Sequence, residues 1–247
     1  YLAHRLARRH LGPALSLVVA GVLAVHPHLV RSHVETMTES LYGTLVVGGV
    51  LAFTLRRDLL SGAALGLAFL VRPEAALVHA GLLALRAWQD RRVPWALGLG
   101  LVPVAAYAAI ASHAVGHLVV SPKQGQLDLG PALLARLGAL GRHAMAVFPA
   151  VLVPGALVYA WRRAPHLGVP IVYVLTIPLF AVHVQPRLLV PALPFLLVLG
   201  VAWAARLGSR WRLPVGVSTV LVFAAGVLPG ARDLATGGPL TPRAREI

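Results

Sequence analysis

Long apolar segments, separated by short charged or proline-containing turns, constrain the fold of this chain more than any other feature. A membrane-crossing helix takes about 20 apolar residues, and flanking residues or tilt make up for shorter runs. With 58% hydrophobic and only 12% charged residues, the chain departs from soluble domains, of which about 25% of residues are charged. We predict an all-α fold, a polytopic transmembrane bundle of about nine spans over residues 1–230, followed by a loose tail at 231–247. The nine apolar segments are 11–25, 41–55, 59–71, 74–88, 95–112, 144–160, 168–184, 188–205 and 214–230.

The positive charge of the chain is arranged at the ends of these segments. A net charge of +14 would suggest nucleic acid as the partner of a soluble protein, but arginines grouped at span ends point to the lipid bilayer instead. If all nine segments cross, one side carries most of the arginine, as cytoplasmic loops do. The arginines of that side are Arg5, Arg8, Arg9, Arg56, Arg57, Arg86, Arg91, Arg92, Arg162, Arg163, Arg206, Arg210 and Arg212, and the tryptophans Trp88, Trp95, Trp161, Trp203 and Trp211 fall on the same side.

Residues 59–88 allow two interpretations, one long bent span or two spans broken at Arg72-Pro73. Proline favours the first helical turn and pushes the residue before it out of the α region, so we predict two spans. Gly62 and Gly66 then form a small-residue face that lets another helix approach closely.

The long loop at 113–143 lies on the opposite, outer side in this topology. Its second half, 131–142, places Leu133, Leu134, Leu137 and Leu140 on one helical face, with Arg136 off that face. Such a pattern predicts an amphipathic helix that lies in the membrane interface instead of crossing it.

Ionisable residues are concentrated at 26–40, between the first two apolar segments. Ionisable groups placed between membrane spans are costly and indicate a functional site. His28 and His33, with Glu35 or Glu39, could hold zinc or manganese, because imidazole and carboxylate suit these ions, although the spacing matches no standard zinc motif. His26 could add a third imidazole. Glu39 also opens a helix, where a carboxylate interacts favourably with the helix dipole.

Two arginines stand alone at outer ends of spans. Arg72 ends the stretch 66–72, and Arg187 lies in the turn 185–194. Arginine binds phosphate through two hydrogen bonds and stays charged at any relevant pH, so both are candidates for contacting a lipid phosphate. The alternative is that they only extend to lipid headgroups.

Three stretches in this order resemble the GT-C membrane glycosyltransferases, and specifically the type similar to dolichyl-phosphate-mannose–protein mannosyltransferases. The first is His-Pro-x-Leu-Val-x-Ser followed by Thr-Glu-Ser-Leu-Tyr, within His26–Tyr42. The second is Ser-Gly-Ala-Ala-Leu-Gly-Leu-Ala-Phe-Leu-Val-Arg-Pro-Glu, at Ser61–Glu74. The third is Pro-Arg-Leu-Leu-Val-Pro-Ala-Leu-Pro-Phe, at Pro186–Phe195.

This resemblance implies a glycosyltransferase of the plasma (inner) membrane that takes a hexose or pentose from a polyprenyl-phosphate donor. The sugar is transferred with inversion to a hydroxyl of a protein, lipid or glycan on the outer face. It also implies that the catalytic base lies in an earlier outer loop, upstream of Tyr1. The sequence would then be an N-terminally truncated fragment, inactive by itself.

The family resemblance extends to individual residues as well. Glu39 matches the acid of the second outer loop, which assists metal or donor binding in some members, so a divalent metal is the one cofactor to expect. Arg187 matches a basic or polar position near the donor phosphate. Two alternatives stay open, a transporter or flippase fragment and a structural membrane subunit. A transporter would place charges near the bilayer midplane, whereas only His79 lies well inside a predicted span.

Overall fold

The computed structural model describes residues 1–27, 29–30, 37–116, 132–148, 152–180 and 186–207. The predicted all-α class is confirmed, because these residues form helices and turns and contain no strand. Two short 3-10 helices, Leu99–Leu101 and Pro186–Ala192, run directly into the α-helices that follow them. The α-helices are α1 (Leu2–Ala7), α2 (Pro13–Val25), α3 (Met37–Thr54), α4 (Asp58–Val71), α5 (Ala75–Asp90), α6 (Trp95–Gly98), α7 (Val102–Val115), α8 (Ala132–Val147), α9 (Val153–Arg163), α10 (Pro165–Phe180) and α11 (Leu193–Ala204).

The basic turns that the sequence assigned to one side do meet at one end of the bundle, called here the arginine-rich end (turns 8–12, 55–57, 91–94, 162–164 and 205–207). Arg56 at the end of α3 forms an ion pair of 2.6 Å with Asp90 at the end of α5. The His10 ring before α2 lies 5.6 Å from the His166 ring at the start of α10. Arg206 after α11 lies over the Tyr159 ring of α9. These contacts bring five turns together.

The opposite end, called here the Glu39 end, contains the first turn of α3 and the turn between α4 and α5. Arg72 and Glu74 stand in that turn, which separates two antiparallel helices. The predicted break at Arg72-Pro73 is therefore confirmed, with one helix on each side of it. That each of these helices crosses a membrane stays a prediction. His26 lies at this end too, where its Nε2 donates a hydrogen bond of 3.1 Å to the carbonyl oxygen of Val147.

A glycine contact joins α4 to the segment 95–101. A Cβ added to Gly62 would lie 2.5 Å from the Leu97 carbonyl oxygen, and one added to Gly66 would lie 2.5 Å from the Gly100 carbonyl oxygen. The two backbones approach so closely that no side chain fits between them. The small-residue face predicted from Gly62 and Gly66 is thus the packing surface of α4. We call this contact the glycine seam.

The helix lengths do not bear out nine complete spans. Within the described residues, the continuous helical segment Trp95–Val115, with 21 residues, is the one that is long and apolar enough to cross a membrane by itself. Shorter apolar helices are Pro13–Val25, Asp58–Val71, Pro165–Val174 and Leu189–Ala204. The single apolar span predicted at 144–160 is not confirmed, since within the described residues α8 ends at Val147 and α9 begins at Val153. The ninth predicted span, at 214–230, lies outside the described residues.

The amphipathic helix in the outer loop is present as α8 but exposes a different face from the predicted one. Leu134 and Leu137 are exposed, whereas Arg136 and Leu140 are buried against the protein. The helix packs on the 3-10 helix Pro186–Ala192 and on α10. A leucine pattern identifies the apolar face of a helix, but it does not show which neighbour that face contacts. In α8, Leu134 and Leu137 of that face remain exposed.

The exterior of the described helices is apolar. α7 contains no buried residue although it is composed mostly of alanine and other apolar residues. Trp88, Trp95 and Trp161 are 73%, 77% and 86% exposed, respectively, and belong to the arginine-rich end. Large contiguous apolar surfaces are rare on soluble monomers, and exposed tryptophans at one level are typical of a membrane interface.

Candidate functional site

A pocket of about 420 Å³ opens near the Glu39 end of the bundle. Its walls come from the start of α1, the second half of α2, the first half of α3 and the junction between the second 3-10 helix and α11. Small residues leave the space open, among them Gly43 on α3 and Ala20 on α2, while Pro191 and Pro194 form a rigid opposite wall. The pocket is mostly apolar, and Glu39 contributes the carboxylate of its lining.

Glu39 is buried, with a side chain that is 3% exposed, and it forms an ion pair with Arg72. The Arg72 Nη2 atom donates a hydrogen bond of 2.7 Å to Glu39 Oε1. Thirty-three residues separate the two in sequence, and the fold brings them together because α3 and α4 are antiparallel neighbours. The Arg72 side chain, 19% exposed, is the more accessible partner. The structure therefore joins two of the residues that the sequence singled out separately.

Two tyrosines lie behind the ion pair. The Arg72 guanidinium carbon is 5.9 Å from the centre of the Tyr42 ring, within range of a cation–π contact. The Tyr42 ring is in turn 6.4 Å from that of Tyr173 on α10. Both rings are buried, so they limit the positions that the Arg72 side chain can take. Neither tyrosine was singled out as a site residue from the sequence, although Tyr42 falls within the first of the three motif stretches.

Three of the predicted site residues, His28, His33 and Glu35, lie outside the described residues. Arg187 belongs by its backbone to the 3-10 helix Pro186–Ala192 at the Glu39 end, but its side chain also lies outside the described part. In the ranges that the structure covers, no group of three histidine, cysteine or acidic side chains could hold a metal. Of the predicted ligands, Glu39 and His26 are described. The pairing of Glu39 with Arg72 opposes binding of a second cation, and His26 Nε2 is bonded to the Val147 carbonyl oxygen. The described residues alone therefore do not fit the metal site.

The histidine inside a predicted span has a structural role. His79 on α5 is fully buried, and its Nε2 donates a hydrogen bond of 2.9 Å to the Leu97 carbonyl oxygen. It thereby supports the glycine seam from the other side. The other ring nitrogen, Nδ1, is buried and has no hydrogen-bond partner among the described residues.

The arginine-rich end contains a buried cation that the sequence analysis counted only among the interfacial arginines. Arg86 is 1% exposed, and its Nη2 donates hydrogen bonds to Asp58 Oδ1 at 2.8 Å and to the Phe53 carbonyl oxygen at 2.7 Å. The guanidinium carbon also lies 3.9 Å from the centre of the Phe53 ring. This cluster fixes the ends of α3, α4 and α5 to one another. The signal that could have identified it is Asp58 at a helix start, opposite an arginine near the end of the next helix.

Two of the three motif stretches line the pocket, and the second touches it through the partner of Glu39. The first contributes Glu39, the second contributes Arg72 as its partner, and the third contributes Pro191 and Pro194 to the wall. Comparison of the chain with known protein families, with curated proteins and with solved structures finds no match. The resemblance to the GT-C glycosyltransferases therefore depends on the three sequence stretches alone and stays a prediction.

Proposed function

We propose that the protein is a membrane glycosyltransferase that uses a polyprenyl-phosphate-linked sugar and transfers it, with inversion, to an acceptor hydroxyl. The observation that carries the proposal is the Glu39–Arg72 ion pair, placed at a mostly apolar pocket of about 420 Å³. A pocket of this size falls in the range of small-molecule sites, which are typically apolar with a few fixed polar groups. A lipid-linked sugar phosphate likewise combines an apolar part, the lipid, with a polar part, the sugar phosphate.

The charges near the pocket suit a phosphate leaving group. Negative charge grows on the lipid phosphate as the sugar departs, and a positioned cation lowers the energy of that transition state. One hydrogen bond of Arg72 goes to Glu39, and the guanidinium has further N–H groups that can donate to phosphate oxygens. Glu39 holds the guanidinium in place, while Tyr42 lies against it. Arg187, on the adjoining 3-10 helix, is the second candidate for the phosphate.

The transfer needs a general base within hydrogen-bond reach of the acceptor hydroxyl. Glu39 is a poor candidate because its carboxylate is already paired with a guanidinium. The resemblance assigns the base to an earlier outer loop of the family's fold, and that assignment stays a prediction. The remaining predicted residues, His28, His33 and Glu35, would then orient the donor or complete a metal site with Glu39.

A transporter or flippase is the second candidate function. It requires polar groups along a path through the middle of the bundle. In the described ranges, the ion pairs lie at the two ends of the bundle, and His79, the buried histidine between them, is bonded to the Leu97 carbonyl oxygen. This distribution favours chemistry at the Glu39 end over passage through the bundle.

Sugar transfer by the full-length protein in lipid nanodiscs tests the proposal. We would supply a panel of polyprenyl-phosphate sugars and compare Glu39→Gln with Asp90→Asn, which removes a carboxylate from the ion pair at the other end. Losing one preorganised electrostatic interaction costs on the order of 10²–10³-fold in turnover, so Glu39→Gln should be slow and Asp90→Asn near normal.

The other outcomes decide between the functions. Equal turnover of the two variants at equal amounts of folded protein would remove Glu39 from the site. No transfer from any donor, together with movement of a lipid-linked sugar across proteoliposomes, would favour the flippase. Treatment with a chelator followed by addition of manganese or magnesium tests the predicted metal in the same assay.

A further inference from the structure

Two arginines at the arginine-rich end have an unusual backbone conformation. Arg56 has φ of 58° and Arg91 has φ of 53°, and they are the two non-glycine residues with positive φ in the described ranges. Arg91 ends α5 in the left-handed region, a position for which glycine is the usual residue because it has no Cβ. Strained backbone conformations are concentrated at functional sites. Here both occur in turns that face each other.

The two turns form one surface, called here the paired-turn surface (residues 55–57 and 91–94 with Trp88 and Trp95). The ion pair between Arg56 and Asp90, at 2.6 Å, connects them. The two acidic residues next to the paired-turn surface already form ion pairs, Asp58 with Arg86 and Asp90 with Arg56.

Three cations of the paired-turn surface remain available to a ligand. Arg57, Arg91 and Arg92 are exposed, and within the described residues their side chains form no ion pair or hydrogen bond. Trp88 and Trp95 flank them and are largely exposed. Arginine binds phosphate oxygens in a bidentate manner, and tryptophan rings prefer the level of lipid headgroups. Cations and interfacial rings thus stand on the same surface.

We propose that the paired-turn surface binds the phosphate groups of anionic phospholipids through Arg57, Arg91 and Arg92. The ion pair between Arg56 and Asp90 holds the two turns side by side, so exposed arginines of two separate connections stand on one surface, between Trp88 and Trp95. The proposal depends on the protein lying in a membrane, but it does not depend on sugar transfer.

The test uses full-length protein in detergent micelles and measures energy transfer from tryptophan to dansyl-labelled phosphatidylglycerol, with dansyl-labelled phosphatidylcholine as the neutral lipid. The variant R57Q/R91Q/R92Q removes the three cations. The matched control R8Q/R162Q/R163Q removes three exposed arginines from other turns of the same end. Basic residues near a membrane surface each contribute appreciably to anionic lipid binding, so the first variant should bind phosphatidylglycerol at least about tenfold more weakly. The control should change it less than about threefold.

A charge-preserving variant and a competing anion separate a specific headgroup contact from loss of fold and from binding of free phosphate. R57K/R91K/R92K keeps the charge and should retain most of the affinity. Equal melting temperatures of R57Q/R91Q/R92Q and R57K/R91K/R92K exclude a loss of fold as the cause of weaker binding. Displacement of the labelled lipid by inorganic phosphate alone would overturn the lipid headgroup as the ligand. Equal weakening of the test variant and the control would mean diffuse attraction and would refute the paired-turn surface. A failure of sugar transfer would leave this measurement unaffected.

Discussion

Removing Arg72 should destabilise the protein far more than removing Arg56, although each arginine pairs with one carboxylate at short distance. Arg72→Ala leaves the Glu39 carboxylate, 3% exposed, without this cation. Breaking a buried ion pair by removing one partner costs about 3–5 kcal/mol. Because the Arg72 side chain is 19% exposed, water can reach the site, and we expect the lower end, about 3 kcal/mol.

The control pair is exposed. In the Arg56–Asp90 pair the side chains are 64% and 36% exposed, and exposed ion pairs contribute up to about 1 kcal/mol. For a chain of this length, 1 kcal/mol corresponds to about 2–4 °C in the melting temperature. Arg72→Ala should therefore lower the melting temperature by roughly 6–12 °C, and Arg56→Ala by a few degrees at most, on the order of 1–4 °C.

Thermal unfolding of the purified protein in one detergent, followed by tryptophan fluorescence, measures both shifts. The double variant Glu39→Gln/Arg72→Gln should recover much of the loss, since replacing both charged partners leaves no buried charge uncompensated. The reasoning would be refuted by similar shifts for Arg72→Ala and Arg56→Ala, or by a double variant as unstable as the sum of the single ones.

Two other predictions concern the glycine seam and the two ends of the bundle. Gly62→Ala should destabilise the protein by about 1–3 kcal/mol because the added Cβ would meet the backbone of Leu97. The control Gly21→Ala, whose Cβ would meet nothing within 4 Å, should stabilise α2 slightly. Equal melting temperatures of the two variants would contradict the close packing at the glycine seam. Cysteines placed at Arg92 and at Gln124 of this cysteine-free chain should react differently with an impermeant thiol reagent in intact cells, position 124 being labelled and position 92 protected. Labelling of position 92 alone would reverse the proposed orientation.

The features that the sequence predicted well are those with local physical causes. Pro73 forbids a continuous helix, so the turn at Arg72–Glu74 follows from one residue and its neighbours. Gly62 and Gly66 are spaced one helical turn apart, and such spacing has few uses other than close packing.

The features that were not predicted depend on which helices become neighbours. The pairing of Glu39 with Arg72 requires α3 and α4 to lie side by side with their polar ends aligned, and no local pattern contains that information. The burial of Arg136 in place of Leu134 has the same origin, because the side of α8 that meets the protein is decided by its contact with other helices. The positions of the charged residues in the sequence identified Glu39 and Arg72 as candidate site residues, but not as partners in one ion pair.

The glycine seam has a mechanical consequence for the pocket. Backbone pressed against backbone has no side chains that could change rotamer, so α4 and the segment 95–101 must move together as one rigid piece. α3 packs along α4 and belongs to the same piece. Any widening of the pocket to admit a bulky molecule then has to come from the other walls, α1, α2 and the proline-bearing junction before α11. The wall that carries Glu39 therefore stays fixed, and the walls that can move are the mostly apolar ones opposite it.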